Sequence, residues 1–304
     1  MAKSYLLYFI MISLYMPTLL SANCADHAVS LQVLGSGGPE LDDQRASSSY
    51  LIWADNKAIA MIDVGGGASL NYEKSMAKLE DLEVVAFSHL HVDHSADFPV
   101  FIKAAYFSSR DRPLIIFGPD GNDLMPSTTT FMADLFGSEG GFRYLKDYLL
   151  PNDNQHFWLK TQTVTMDKNN IQSFQITPSL SLSTIAVHHG PIPALAWRVD
   201  IDDCAITFSG DMNNDFHSLT KLAQNTDILV AHNAITGIAT GGARQLHMPP
   251  SEIGLIAQRA RVKQLVISHR MNRTLGKEEA TTQDIRQAYS GKITFANDLD
   301  IIQP

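Results

Sequence analysis

Residues 84–98 read VVAFSHLHVDHSADF, and His89, His91, Asp93 and His94 fall within six consecutive positions of that stretch. Three of the chain's 11 histidines are spent there. Imidazole and carboxylate groups at this density are ordinary ligands for zinc and similar divalent ions. His89 and His91, two apart in an extended segment, can point the same way. Asp93 and His94 follow where the chain turns towards a helix. A single His-x-His passes for a polar turn, but His-x-His-x-Asp-His behind a buried-type strand reads as a metal site. Three more segments repeat the grammar of an apolar strand closed by a polar residue. TIAVHHGP ends with His188 and His189, AITFSGD with Asp211, and QLVISHR with His269. An aspartate after glycine is usually a turn residue; the repetition across four strand ends is what makes these candidate ligands.

The elements that must carry these groups are legible as apolar runs bounded by Gly, Pro, Asp or Asn. AVSLQVLG, SSYLIWA, KAIAMIDV, EVVAFSH and PLIIFG read as strands in the first half. Phe98, Phe101, Ile102, Ala105 and Tyr106 lie at helical spacing, which predicts a helix over 95–107. Residues 118–158 lack a clear strand and read as a helical insertion. SFQIT, LSLSTIAV, PALAWRV, CAITFSG, DILVAH, KQLVISH and KITFA form a second strand-rich half. Helices are expected over 215–224 and over 251–262, the latter opened by Pro249, Pro250 and Glu252. With no tandem repeat or linker, one mixed α/β domain over residues 26–304 is the economical reading.

Composition bounds the function. A chain of 304 residues, 45% hydrophobic, can bury one large core or two small ones. Its 23 Lys+Arg against 32 Asp+Glu give a net charge of −9, which argues against a dedicated nucleic-acid binder with a basic face. At the amino terminus, Lys3 precedes the apolar run YLLYFIMISLYMPTLL and then small residues. That order predicts a signal peptide over residues 1–25, cut after Ala22 or Ala25. A membrane anchor fits less well, because the run is short and interrupted by Pro17. A periplasmic or secreted protein without a membrane span follows. If Cys24 leaves with the signal peptide, Cys204 stands alone and no internal disulfide is expected. Lipidation at Cys24 would want a small residue where Asn23 stands.

At this point the chain resembles the metallo-β-lactamase superfamily, over nearly its whole length past the signal segment. The motifs occur in order: Asp63 in MIDVGGG, the His89–His94 cluster, a histidine in VHHGPIPALAWR, Asp211 in FSGD and His269 in VISH. The resemblance implies a four-layer αββα sandwich with a binuclear metal site at one edge of the sheets. It also implies that His89, His91 and either His188 or His189 hold one metal. His189 is preferred, because the superfamily pattern there is V-x-H-G. Asp93, His94 and His269 would hold the second metal, and Asp211 would bridge both. Asp63 would hydrogen-bond the ligand loop, with His188 and His232 close to the site.

LQVLGSGGPELDDQRASSSYLIW, VHHGPIPALAWRV and LHMPPSEIGLIAQRA are similar to the branch that holds RNase Z enzymes and exported metal-dependent arylsulfatases. Formylglycine sulfatases are excluded, since neither CADHA nor CAITF offers their Cys-x-Pro-x-Arg motif. A signal peptide and the scarcity of basic residues between 118 and 150 lead to a small anionic sulfate or phosphate ester as substrate. Nucleic acid is then not expected as a partner, and a tRNA 3′-processing endonuclease or cyclic-nucleotide phosphodiesterase is the alternative. A non-catalytic metal-binding protein is the reading from a different class. The resemblance implies two divalent ions, zinc before manganese or iron, activating water for attack. Asp93 and His247 are the catalytic candidates, with His247 in RQLHMPPSE as proton donor to the leaving group. Asn233 departs from the glutamate that often stands beside the counterpart of His232 in RNase Z. A homodimer is compatible with all of this.

Overall fold

A computed structural model describes Met1, Cys24, residues 28–150 and residues 157–304. The expected signal peptide lies outside the described residues except at Met1 and Cys24. Among the described residues no helix is long and apolar enough to cross a membrane.

Apolar alternation along each strand builds two sheets. Strands β1 (Ser30–Gly35), β2 (Ser49–Ala54), β3 (Lys57–Val64), β4 (Val84–Ala86), β5 (Leu114–Pro119) and β6 (Leu159–Val164) form the first, in that order. Strands β7 (Gln172–Gln175), β8 (Leu180–His189), β9 (Ile192–Ile201), β10 (Cys204–Phe208), β11 (Ile228–His232), β12 (Gln264–Ser268) and β13 (Lys292–Phe295) form the second. The last strand, β14 (Ile301–Ile302), returns to pair with β1, so each sheet has seven strands. In β3, Ala60 and Ile62 face the other sheet while Met61 between them faces helices. In β12, Val266 faces inward and Leu265 and Ile267 face outward. This period of two gives each sheet two apolar faces.

Three apolar layers result. Trp197, Phe117, Phe208 and Tyr50 fill the space between the sheets. Helices α1 (Ala68–Ser75), α3 (Phe98–Ala105) and α4 (Thr128–Phe136) cover the first sheet through Tyr72, Phe98, Phe101, Met132 and Phe136. Helices α5 (Leu219–Leu222), α7 (Pro250–Arg259) and α8 (Glu278–Arg286) cover the second through Leu219, Leu222, Ile253, Ile256 and Ile285. The short helices α2 (Val92–Ser95) and α6 (Gly241–Leu246) complete the set. The expected four-layer αββα sandwich is therefore the observed one. Burying one large apolar side chain contributes roughly 1.5–3 kcal/mol, against about 0–1 kcal/mol for an exposed ion pair. The layers, not surface charge, hold the fold.

The elements differ from expectation in four places. Helix 95–107 is split into α2 and α3, because Pro99 requires a first-turn position, and Tyr106 ends exposed rather than packed. The β6 strand follows the insertion and carries no readable strand pattern in sequence; its LKTQTV segment is polar because it is a sheet edge, with only Leu159 and Val164 buried. The α1, α8 and β14 elements carry too little periodic apolar signal to read locally, and α8 buries only Thr281 and Ile285. Cys24 and Cys204 form a disulfide across 180 positions, with α-carbons 5.1 Å apart, so Cys204 is paired in a chain that keeps Cys24. The bond ties the amino-terminal segment to the start of β10.

Candidate metal centre

Parallel pairing of β3, β4, β5 and β6, and of β10, β11, β12 and β13, sends the carboxyl ends of these strands to one edge. Ligands of α/β sheets gather at such ends. Asp63 is the last but one residue of β3, His89 to His94 follow β4, and His189 ends β8. Asp211 follows β10, His232 ends β11, and His269 follows β12. The loop after β4 is fixed from the opposite sheet: Leu195 N–H donates to Ser88 O at 2.8 Å, and Trp197 Nε1–H donates to Phe87 O at 2.9 Å. Asp63 and His269 both adopt left-handed backbone, with φ of 57° and 51°. Such strain in non-glycine residues is found where surrounding structure holds a functional side chain in place.

Asp63 accepts from Ser88 N–H at 2.6 Å and Ser88 Oγ–H at 2.7 Å, and from His94 Nδ1 at 2.8 Å. Because a carboxylate only accepts, His94 carries its proton on Nδ1 and turns Nε2 to the centre. Leu246 O does the same for His189, accepting from Nδ1 at 2.9 Å. His89 Nε2 and His91 Nδ1 lie 3.0 Å apart. Two nitrogens on one zinc, each bonded at about 2.0–2.1 Å in a tetrahedron, lie at a comparable separation.

Asp211 is the hub. Its Oδ2 lies 3.4 Å from His269 Nε2, 3.7 Å from His94 Nε2, 3.8 Å from His189 Nε2 and 3.9 Å from His247 Nδ1. Its Oδ1 is held 2.8 Å from His232 Nδ1. His232 Nε2 in turn lies 3.0 Å from the Tyr50 hydroxyl, which has Ser268 Oγ at 2.8 Å. Both nitrogens of His232 are thus engaged, so it orients Asp211 and leaves Oδ2 to face the imidazoles. Asp93 Oδ2 sits 3.2 Å from His269 Nε2 and 3.5 Å from His94 Nε2.

These groups fit a metal. His94 Nε2, His189 Nε2 and His247 Nδ1 are buried nitrogens with no hydrogen-bond partner, although burying an unsatisfied polar atom is costly. Among the described residues, three groupings bring candidate donor atoms within 4.8 Å of one another: His89 with His91 and His189; His94 with Asp211, His269 and the already bonded His232; and His189 with Asp211 and His247. Burial and neighbouring imidazoles depress the pKa of His89, and burial depresses those of His91 and His189, so all three keep free lone pairs near neutral pH. Burial works against ionised Asp211, yet His269 and His247 and the bond from His232 hold its pKa well below the usual carboxylate range. Burial equally opposes charge on His94, and Asp93 and Asp63 overcome it and raise its pKa well above the ordinary value. Donors of this kind bind divalent metal. A bound ion takes the place of the proton at such a nitrogen.

The structure separates two histidines that sequence left open. His189 faces the cluster, whereas the preceding His188 turns to the other side of β8 and bonds Asn213 Oδ1 at 3.1 Å. Side chains alternate along a strand, so only one of the pair can face the centre. Sequence reasoning missed Ser88, Tyr50 and Ser268. Ser88 carried a weak signal, a hydroxyl directly before His89; Tyr50 read only as a β2 core residue.

The family model for the beta-lactamase superfamily domain matches residues 60–270, and the chain belongs to that superfamily. It is a metal-dependent hydrolase of ester bonds. Its relatives include a protein named Ribonuclease Z from Mycobacterium sp. (strain KMS), 28% identical over 79% of this chain and 84% of the relative. Two solved structures share the fold. The metallo-β-lactamase fold protein YhfI from Bacillus subtilis has a TM-score of 0.69 at 20% identity, covering 91% of this chain and 99% of its own. The short form of human tRNase Z has a TM-score of 0.68 at 19% identity, covering 90% and 98%.

Proposed function

We propose that the protein is a binuclear metal-dependent phosphodiesterase. The observation that carries this reading is the convergence of four imidazole nitrogens, 3.4–3.9 Å away, on the single free oxygen of Asp211. That is the environment of a carboxylate shared by two ions. His89, His91 and His189 would hold one ion and Asp93, His94 and His269 the other, with Asp211 as a ligand the two would share. Zinc suits imidazole and carboxylate donors. Divalent ions held by these residues would lower the pKa of a bound water and offset charge on ester oxygens.

The chain's own groups do the rest. Asp63 and Ser88 hold the ligand loop, Leu246 O fixes the tautomer of His189, and His232 with Tyr50 aims Asp211. His247 is assigned the proton for the leaving oxygen. Burial pushes its pKa down to about 4. An anionic ester beside it raises that value by favouring the imidazolium, so the proton arrives with the substrate. Relatives named Ribonuclease Z favour the phosphodiester over the sulfate ester expected from sequence, and weigh against excluding nucleic acid as a partner. The Cys24–Cys204 disulfide supports export to an oxidising compartment, with cleavage after Ala22 so that Cys24 is kept.

The test is hydrolysis by the metal-loaded protein of bis(4-nitrophenyl) phosphate, 4-nitrophenyl sulfate and an RNA with a 3′ extension. Phosphodiesters should be cleaved and the sulfate left intact, with activity lost in chelator. Sulfate hydrolysis faster than diester hydrolysis overturns the reading.

A further inference from the structure

His188, turned away from the cluster, lines a cavity of about 720 Å3. Its walls come from residues 121–122 after β5, residues 165–169 after β6, the β8–β9 turn and Phe216 beyond Asp211. Besides Ala186–His188 at the end of β8 and Ile192 and Pro193 at the start of β9, the lining lies beyond the carboxyl ends of strands, so the cavity sits at the edge that carries the metal centre. A single backbone step, from His188 to His189, joins the two.

The lining is that of an aromatic-binding pocket. Met166, Pro191, Pro193 and Phe216 supply apolar surface. Phe216 meets His188 edge-on, with ring centres 5.0 Å apart. The Lys168 ammonium lies 4.9 Å from the centre of the Phe216 ring. Asp167, beside it, is occupied by the backbone N–H groups of Asn169 and Asn170 at 2.8 and 3.1 Å and by Asn170 Nδ2 at 2.9 Å. Asn213 Oδ1 accepts from the Asp215 N–H at 2.9 Å, so it also accepts from His188 Nδ1, and His188 Nε2 is left as an acceptor. On its Asn213 side His188 also has Asp215, 3.6 Å away. A planar ring with polar edges matches apolar walls edged by the His188 acceptor, the Lys168 ammonium and the side chains of Asn122, Thr165 and Asn169. Pockets for ligands of nucleoside size run from about 300 to 1,000 Å3.

We propose that this cavity is the subsite for the nucleoside portion of the substrate, with its base packed against Phe216. The inference rests on the phosphodiesterase reading for what happens next to the subsite, not for binding itself. Neither His188 nor Phe216 touches the metal cluster.

Two measurements test it on wild type, Phe216→Ala, Phe216→Tyr and His188→Ala. One is the affinity of adenosine 5′-monophosphate relative to inorganic phosphate, by calorimetry on the metal-loaded protein. The other is kcat/KM for thymidine 5′-(4-nitrophenyl phosphate) relative to methyl 4-nitrophenyl phosphate, which share a leaving group. Both ratios should fall about tenfold in Phe216→Ala and His188→Ala, the size of one base–aromatic stacking contact. Phe216→Tyr should restore them. Repeating the binding ratio with a short single-stranded RNA shows whether the nucleoside arrives alone or within a chain. Unchanged ratios in His188→Ala and Phe216→Ala overturn the subsite. If Phe216→Ala does not fold, His188→Ala alone decides. If no diester is cleaved by wild type while the adenosine ratio still falls, the subsite stands and the phosphodiesterase reading fails.

Discussion

Single side chains divide the work at the centre, and the division is measurable. Asp211 Oδ2 faces the imidazoles while Oδ1 is held by His232, itself held by Tyr50. On the binuclear reading proposed above, removing the oxygen that two ions would share should cost more than removing its support. Asp211→Ala is expected to lose both ions under dialysis, while Tyr50→Phe should keep them with affinity lowered about 10–100-fold, as when a ligand's hydrogen-bond partner is lost. Competition with a chelator gives both values; equal affinities in the two variants would contradict the hub role of Asp211. His247 calls for a different readout. If it protonates the leaving oxygen, His247→Ala should slow esters of high-pKa alcohols on the order of a hundredfold while sparing nitrophenyl esters. Metal content should not change. A uniform loss across leaving groups would assign His247 to positioning, and loss of an ion would make it a ligand.

At the scale of elements, glycines decide how closely loops approach the ligands. Residues 65–67 are all glycine after β3, a run that sequence explains as a tight turn. The structure gives Gly65 a sharper reason: a Cβ there would collide with the backbone oxygen of Asp93. At neighbouring Gly66 a Cβ would meet only Ser47 Oγ, at 3.9 Å. Gly65→Ala should therefore push the loop of Asp93 and His94 aside and lower metal affinity at least tenfold, whereas Gly66→Ala should be nearly silent. Equal effects would mean that the turn, and not the close approach, is what matters. The insertion between β5 and β6 belongs at this scale too. Its α4 helix packs Met132 and Phe136 onto the first sheet, so its few basic residues reflect a layer of the sandwich.

Across the whole molecule, Cys24 and Cys204 connect the amino-terminal segment to a core strand. Closing so long a loop restricts the unfolded chain, and removing such a bond typically costs about 2–5 kcal/mol. Cys24→Ser should lower the denaturant midpoint to that of the reduced wild-type protein without altering metal content. A midpoint unmoved by substitution and by reductant would exclude the bond. On the export reading proposed above, intact mass of the mature protein should show Asn23 as the first residue, which keeps Cys24.

Sequence by itself determined most of the strands, the mixed α/β class and the local ligand grammar. These depend on residues two to four apart: alternation in β3, β8 and β12, and the crowding of His89 to His94. Tertiary structure alone decided what depends on distant partners. His189 and His188 are chemically equal and adjacent, and only the face of β8 that meets Asp211 separates them. Tyr50 looked like any core aromatic until the fold set its hydroxyl against His232, 182 positions away. The polar α8 helix and the two-residue β14 strand are stabilised by what they cover, not by their own periodicity. Local pattern encodes which groups can bind a metal; long-range packing selects which of them do, because burial and a hydrogen-bond partner fix each ring's orientation.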